Sequence, residues 1–308
     1  MIKIEISNIN TICTEHYNNL EKLLKKRINN SSFANYQKTY LINNLDNIIT
    51  NKPKDLEILW IDFKANFNYN KKHKARLISI FNYKSFSDKP KNSKYCLYNL
   101  ADKLNINTCV YCNRQYTNTI EEVKITGTKY ITRPQFDHFL CQKEFPLFSL
   151  SFYNLIPSCY ICNATLKLDK VFSCKTHFHP YIKGFNKVVT FNYQPKNTGA
   201  ILGLNNDLIF KFDKTSQIAN KNISVFQLKS IYKHSHQDYA SEILYKIFKN
   251  NYTYLNSIRK TFHGTETIDD FYRIVFANYY DEKDFNKRPL SKLTRDIFDK
   301  YALLHKVK

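Results

Sequence analysis

Glycine is scarce in this sequence, with 5 in 308 residues. Compact turns must therefore lean on asparagine, which tolerates left-handed backbone angles better than most residues. Acidic residues are also in short supply: 26 Asp and Glu stand against 47 Lys and Arg, giving a formal charge of +21. Long apolar runs are missing. No stretch approaches the roughly 18 consecutive apolar residues of a membrane span, so no membrane association through a spanning helix is expected. The opening Met1-Ile-Lys-Ile-Glu-Ile6 has no long apolar run behind a basic start, so no signal peptide is expected. There is no internal repeat, and no low-complexity tract beyond a general richness in Asn and Lys.

What remains is a globular composition, 43% apolar, with Phe and Tyr at 23 each. The charge, with a pI near 9.5, favours a polyanionic partner. Nucleic acid is the leading candidate, although charge alone does not separate it from an anionic membrane, and an AT-rich coding sequence would also enrich lysine. A cytoplasmic protein is expected, in which thiols stay reduced.

Eight cysteines include two C-x-x-C pairs, Cys109-Val-Tyr-Cys112 and Cys159-Tyr-Ile-Cys162. In a reducing compartment such pairs argue for metal before disulfides. Two intervening residues let a tight turn aim both sulfurs at one ion, and four thiolates close a tetrahedral zinc shell. A closed shell has no open position, so such a zinc is structural. The pairs are separated by 46 residues, far more than in a small zinc ribbon, so they bracket something else. The alternative is four reduced, buried cysteines. Cys13, Cys96, Cys141 and Cys174 read as small buried hydrophobes.

Residues 11–50 carry helical spacing, with a break near Asn29-Asn-Ser-Ser32. Pro53 opens a further helix with Leu56, Leu59, Trp60 and Phe63 on its apolar face. The segment 71–94 is basic and interleaved with aromatics, fitting either a nucleic-acid groove or a solvated face over ordinary core. Residues 88–93 read as a loop and Leu97 to Leu104 as a short helix. A hairpin is expected over residues 122–132 with Gly127-Thr128 at its turn. Phe136 to Leu140 fits a buried strand, Ser149 to Ile156 a second strand-like or extended run, and Ser158 would N-cap a helix through Cys159, Cys162, Asn163 and Lys167. Val188–Tyr193 and Leu208–Phe212 read as strands. Val225–Phe248, Tyr252–Phe262, Ile268–Tyr280 and Leu290–Leu304 read as helices.

Inside the cysteine bracket sit Asp137-His138, then Asn154, then Asn163 with Lys167. This order resembles the HNH (ββα-metal) endonucleases. The resemblance implies that His138 is the general base, Asn154 braces the loop that aims it, and Asp137 and Asn163 hold a catalytic Mg²⁺ or Mn²⁺. The chemistry fits independently. Phosphodiester hydrolysis needs a deprotonated water and a group that neutralises charge on the leaving oxygen. Imidazole takes a proton near neutral pH, and oxygen donors suit a hard cation. Lys167, one helical turn after Asn163, fits a phosphate contact or a solvated charge. His179, with His177, fits either a further ligand or phosphate contact, or no role at all. One departure is Cys141, where many such nucleases have proline.

Weaker likeness extends to Tyr95–Tyr116, to Phe178-His-Pro-Tyr181, and to Arg288-Pro-Leu-Ser-Lys-Leu-Thr-Arg-Asp296. Those stretches look like longer bacterial HNH proteins of antiphage defence, Septu and some retrons among them. That likeness implies an ABC- or SMC-like ATPase partner beside DNA. The expected fold is α+β: a ββα-metal core braced by zinc between helical flanks. Its regions are 1–95 helical and basic, 96–185 nuclease with zinc knuckle, and 186–308 a short β segment followed by helices. The rival function is a non-catalytic zinc-braced nucleic-acid-binding or adaptor protein.

Overall fold

The structure is a computed structural model that describes residues 1–88, 95–124, 127–249 and 268–301. It is mixed α/β, with three two-stranded antiparallel sheets among the described residues. In chain order the first helices are α1 (Ile9–Asn29), α2 (Asn35–Asn43), α3 (Leu45–Thr50), α4 (Pro53–Asn66), α5 (Lys74–Ile80), α6 (Tyr83–Ser87) and α7 (Leu97–Leu104). Strands β1 (Ile120–Lys124) and β2 (Gly127–Thr132) follow, then β3 (Gln135–His138) and β4 (Leu155–Ser158). A π-helical segment covers Ile161–Lys167. The chain continues through β5 (Thr190–Pro195), α8 (Thr198–Ile201), β6 (Leu208–Lys214), α9 (Gln217–Val225), α10 (Leu228–Ser235), α11 (Gln237–Lys249), α12 (Ile268–Phe276) and α13 (Ser291–Tyr301). No helix among the described residues is long and apolar enough to cross a membrane.

The chain divides into two compact units, one of residues 5–107 with 117–182, the other of 1–4, 108–116 and 183–308. This differs from three consecutive regions. The helical start of the chain shares a unit with the β3–β4 hairpin because its apolar faces pack around it. Helix α1 buries Ile12, His16, Leu20, Leu24 and Ile28, one stripe at helical spacing, and packs on α2, α3, α5 and α7. Helix α4 starts with Pro53 in its first turn and buries Leu56, Leu59, Trp60 and Phe63. The Trp60 ring meets Phe145 at 5.3 Å and Phe148 at 6.0 Å, in the loop between β3 and β4. Full burial of an aromatic side chain such as Phe148 contributes roughly 1.5–3 kcal/mol by area.

In the other unit, β5 pairs with β6, and α13 packs on β5 and α11. The Asp296 carboxylate accepts from Phe191 N–H at 2.9 Å and is paired with Lys292 at 2.8 Å. The loop 108–116 belongs here, and Asn113 shows why. Its side chain donates to Phe285 O at 2.9 Å and accepts from Lys292 N–H at 3.2 Å, and its carbonyl accepts from Leu290 N–H at 2.6 Å. Tyr232 donates its hydroxyl proton to Cys112 O at 2.6 Å, and Ile2 N–H donates to Val110 O at 2.8 Å.

The reliance on asparagine holds. Asn68, Asn105, Asn113 and Asn186 all take positive φ, of 53°, 46°, 50° and 35°, and Asn105 caps α7 in the left-handed conformation. Several local expectations need correction. Gly127 opens β2 opposite Lys124, at φ +123°, so it is not in the turn; residues 125–126 lie outside the described residues. Residues 149–154 are not strand: short 3₁₀ turns at Pro146–Phe148 and Phe152–Asn154 lead into β4. Ser158 is not a cap, because it pairs with Gln135 as the last residue of β4. The stretch 225–248 is broken at Gln227, whose φ is +48°, and again at His236. The expected loop over 88–93, the helix over 252–262 and the end of the last helix lie largely or wholly outside the described residues.

Candidate active site and metal centre

All four cysteines of the two C-x-x-C pairs are buried, and their sulfurs lie within 4.8 Å of one another. A tetrahedron of ~2.3 Å zinc–sulfur bonds has sulfur–sulfur edges of about 3.8 Å, so the cluster could hold a metal such as zinc with a small contraction. The loop around the first pair is shaped for it. Cys109 N–H donates to Gln115 O at 3.0 Å, and Asn113 N–H donates to Cys109 O at 2.7 Å across a left-handed Asn113. At the second pair, Cys162 N–H points at the Cys159 sulfur, 3.5 Å away. Such a contact stabilises a thiolate. Cys13, Cys96, Cys141 and Cys174 lie outside this cluster, and burial raises the thiol pKa of Cys13 and Cys174 to about 12.

The β3–β4 hairpin carries the second constellation. His138 ends β3 opposite Leu155, and Phe139 N–H continues the ladder to Asn154 O at 3.0 Å. Between them the chain loops through residues 140–153, and Asn154 cross-braces it. Its side-chain oxygen accepts from Leu140 N–H at 2.7 Å, and its NH₂ donates to Leu140 O at 3.1 Å and to Phe148 O at 3.0 Å. These bonds hold the loop so that Ser149 O lies 2.9 Å from His138 Nε2. A carbonyl only accepts, so Nε2 carries the proton and the lone pair of the neutral ring is on Nδ1. Tyr83 packs edge-on against the imidazole, ring centroids 4.5 Å apart, and donates its hydroxyl proton to Phe136 O at 3.2 Å. Burial lowers the His138 pKa below the usual 6.5; the Ser149 bond and Asp137 oppose this, and Lys167 adds to it. The ring is therefore neutral near pH 7, in its proton-accepting form.

Asp137 and Lys167 form a buried ion pair. Lys167 Nζ lies 3.0 Å from Asp137 Oδ1, with the two side chains 0% and 3% exposed. The same ammonium donates to His138 O at 2.7 Å and sits 4.7 Å from the Phe172 ring centroid. It is thus neither a solvated charge nor a surface phosphate contact. Removing one partner of such a pair typically costs roughly 3–5 kcal/mol, because the other charge is left buried alone. Asn163 lies on the same turn and donates its NH₂ to Gln135 Oε1 at 2.8 Å, which leaves its own side-chain oxygen as an acceptor. Gln135 is two residues before Asp137, on the same face of β3. The π-helical bond, Leu168 N–H to Asn163 O at 3.0 Å, closes the wide turn. Leu168 follows at φ +50°, ψ −133°, a backbone conformation that L residues avoid.

His177 and His179 are buried instead of lying at a nucleic-acid surface. His177 stacks on Phe172 at 3.7 Å, and His179 packs on Phe139 at 4.1 Å. Burial holds the His179 pKa down to about 3. His179 is 2% exposed and cannot reach a polyanion from there.

The oxygen donors Asp137 and Asn163 are of the type a hard divalent cation takes, with water completing its shell. Asp137 already has a positive partner in Lys167, so a divalent ion must share that carboxylate or take it. Three groups that shape the site were not legible in the sequence. Ser149 acts through its backbone carbonyl, Tyr83 comes from 55 positions upstream of His138, and Gln135 has no motif of its own. Its period-two spacing from Asp137 is the one signal that would have found Gln135. No family model, curated protein or solved structure matches the chain.

Proposed function

We propose that the hairpin unit is a metal-dependent endonuclease site of the HNH type, hydrolysing phosphodiester bonds of DNA in a chain braced by a structural zinc. The observation that carries this reading is the fixed tautomer of His138. Its Nε2 proton is committed to Ser149 O, and its Nδ1 lone pair is the available base. His138 Nδ1 accepts the proton of the attacking water. Asn154 keeps the loop, and hence the Ser149 carbonyl, in register. Asp137 and Asn163 would hold Mg²⁺ or Mn²⁺, whose contribution when bound is to neutralise charge on the phosphate and leaving oxygen. The excess of basic side chains supplies phosphate contacts that position the strand without reading bases. A role in antiphage defence beside an ABC- or SMC-like ATPase rests on the sequence resemblance alone.

The experiment is plasmid cleavage by the purified chain with Mg²⁺ or Mn²⁺, beside His138→Ala and an EDTA control. Loss of the general base is expected to lower the rate by about 10²–10⁴-fold. A folded His138→Ala protein that cleaves at the wild-type rate ends the assignment. Tight DNA binding with no cleavage under any divalent ion points to the non-catalytic binder.

A further inference from the structure

We propose that Lys167 is a built-in counter-cation for Asp137, which a divalent ion must displace in order to bind. This rests on the reading of Asp137 as a metal ligand. The ammonium stands 3.0 Å from Asp137 Oδ1 and 2.7 Å from His138 O. A hard divalent ion would bond a carboxylate oxygen at about 2.0–2.5 Å, closer than the ammonium stands to Oδ1. Lys167 holds Oδ1, and two cations on one enclosed carboxylate repel strongly in a poorly hydrated site, so the ion and the ammonium compete for Asp137.

The turn that carries Lys167 is irregular. It is a π-helical segment, Ile161–Lys167, ended by the Leu168 N–H to Asn163 O bond, and such segments recur at functional sites. The strained residue, Leu168, comes immediately after Lys167 and is 58% exposed. A shift of that backbone out of its left-handed conformation carries the Lys167 side chain away from Asp137 and relieves the strain. The displaced ammonium, four residues from Asn163, then becomes available to a phosphate oxygen. Metal loading would thereby add two positive groups facing the substrate, where the metal-free site shows a neutralised pair.

The test uses the full chain with ¹⁵N-labelled lysine. Among the described residues, the buried lysines are Lys167 and Lys292. Their shielded ammonium groups should give slowly exchanging NMR signals that surface lysines do not. Lys292, held by Asp296 at 2.8 Å and Asn186 O at 2.7 Å, is the internal reference. Lys167→Met and Lys292→Met assign the two signals. Titration with Mg²⁺ is expected to abolish the Lys167 signal and leave that of Lys292, and Asp137→Asn should remove the Mg²⁺ response. In Lys167→Met, Mn²⁺ affinity should rise on the order of tenfold or more, the other side of a reciprocal competition. The wild-type titration stands even if that variant folds poorly.

Mg²⁺ binding with the Lys167 signal intact overturns the exchange. If such a protein still cleaves DNA, the nuclease reading survives without it. No Mg²⁺ response at Asp137 together with no cleavage removes both. Loss of the Lys167 signal without cleavage supports the exchange and rejects the nuclease.

Discussion

Replacing Asn154 by alanine tests whether one side chain holds the loop between β3 and β4. Asn154 makes three buried hydrogen bonds, one from Leu140 N–H and two to the carbonyls of Leu140 and Phe148. Each intact bond is worth about 1 kcal/mol net, but each backbone group left orphaned inside costs roughly 1–3 kcal/mol. Leu140 N–H and Leu140 O are orphaned, while Phe148 O keeps its bond from Ser151 N–H at 3.2 Å, so the sum is roughly 2–6 kcal/mol, and relaxation of the loop toward water favours the lower half, about 3 kcal/mol. At ~1.4 kcal/mol per tenfold, amide exchange at Leu140 should speed up by on the order of 10²-fold, since its N–H is bonded directly to Asn154. Release of the loop also frees Ser149 O from His138, so cleavage should fall toward the His138→Ala level. Asn154→Asp sharpens the test: it keeps the acceptor for Leu140 N–H but sets a carboxylate against two carbonyls, and should be worse than alanine. Exchange at Leu140 within about twofold of wild type in the alanine variant would refute the brace, whatever happened to activity.

Two further outcomes follow from the same kind of geometry. His16 is fully buried, its Nε2–H donating to Leu150 O at 2.8 Å and its Nδ1 accepting from Tyr95 at 3.0 Å, and burial holds its pKa down to about 4. Because the folded value lies below the unfolded 6.5, its contribution is complete above pH 6.5 and is lost as pH falls from there toward 4; the loss amounts to about 2 kcal/mol between pH 7 and 5. Chemical unfolding of wild type and His16→Gln at both pH values checks this, and a constant difference between the two proteins would refute it. For the cysteine cluster, Cys159→Ser or exhaustive chelation should remove one bound zinc per chain and lower the melting temperature, because a structural metal's binding energy is folding energy; elemental analysis beside a thermal melt reads both.

The sequence by itself determined what short-range periodicity and spacing encode. The apolar stripes of α1 and α4, the boundaries of α7, the use of asparagine in left-handed turns, strands β3, β5 and β6, and the gathering of the two cysteine pairs all depend on local pattern or on a ligand spacing that has few other uses. The order Asp137, His138, Asn154, Asn163 was likewise visible, because each element holding them is short and consecutive. Tertiary structure decided everything that depends on which partner a polar group meets. Lys167 reads as a phosphate contact or a solvated charge until the packing of Phe172 and β3 encloses it against Asp137. His179 reads as a ligand, a phosphate contact or a residue with no role until Phe139 covers it. The tautomer of His138 is set by a backbone carbonyl, and Asn113 anchors the first cysteine loop to residues 172 or more positions away. Backbone acceptors carry no residue identity and long-range pairs leave no spacing, so no reading of a single sequence supplies them.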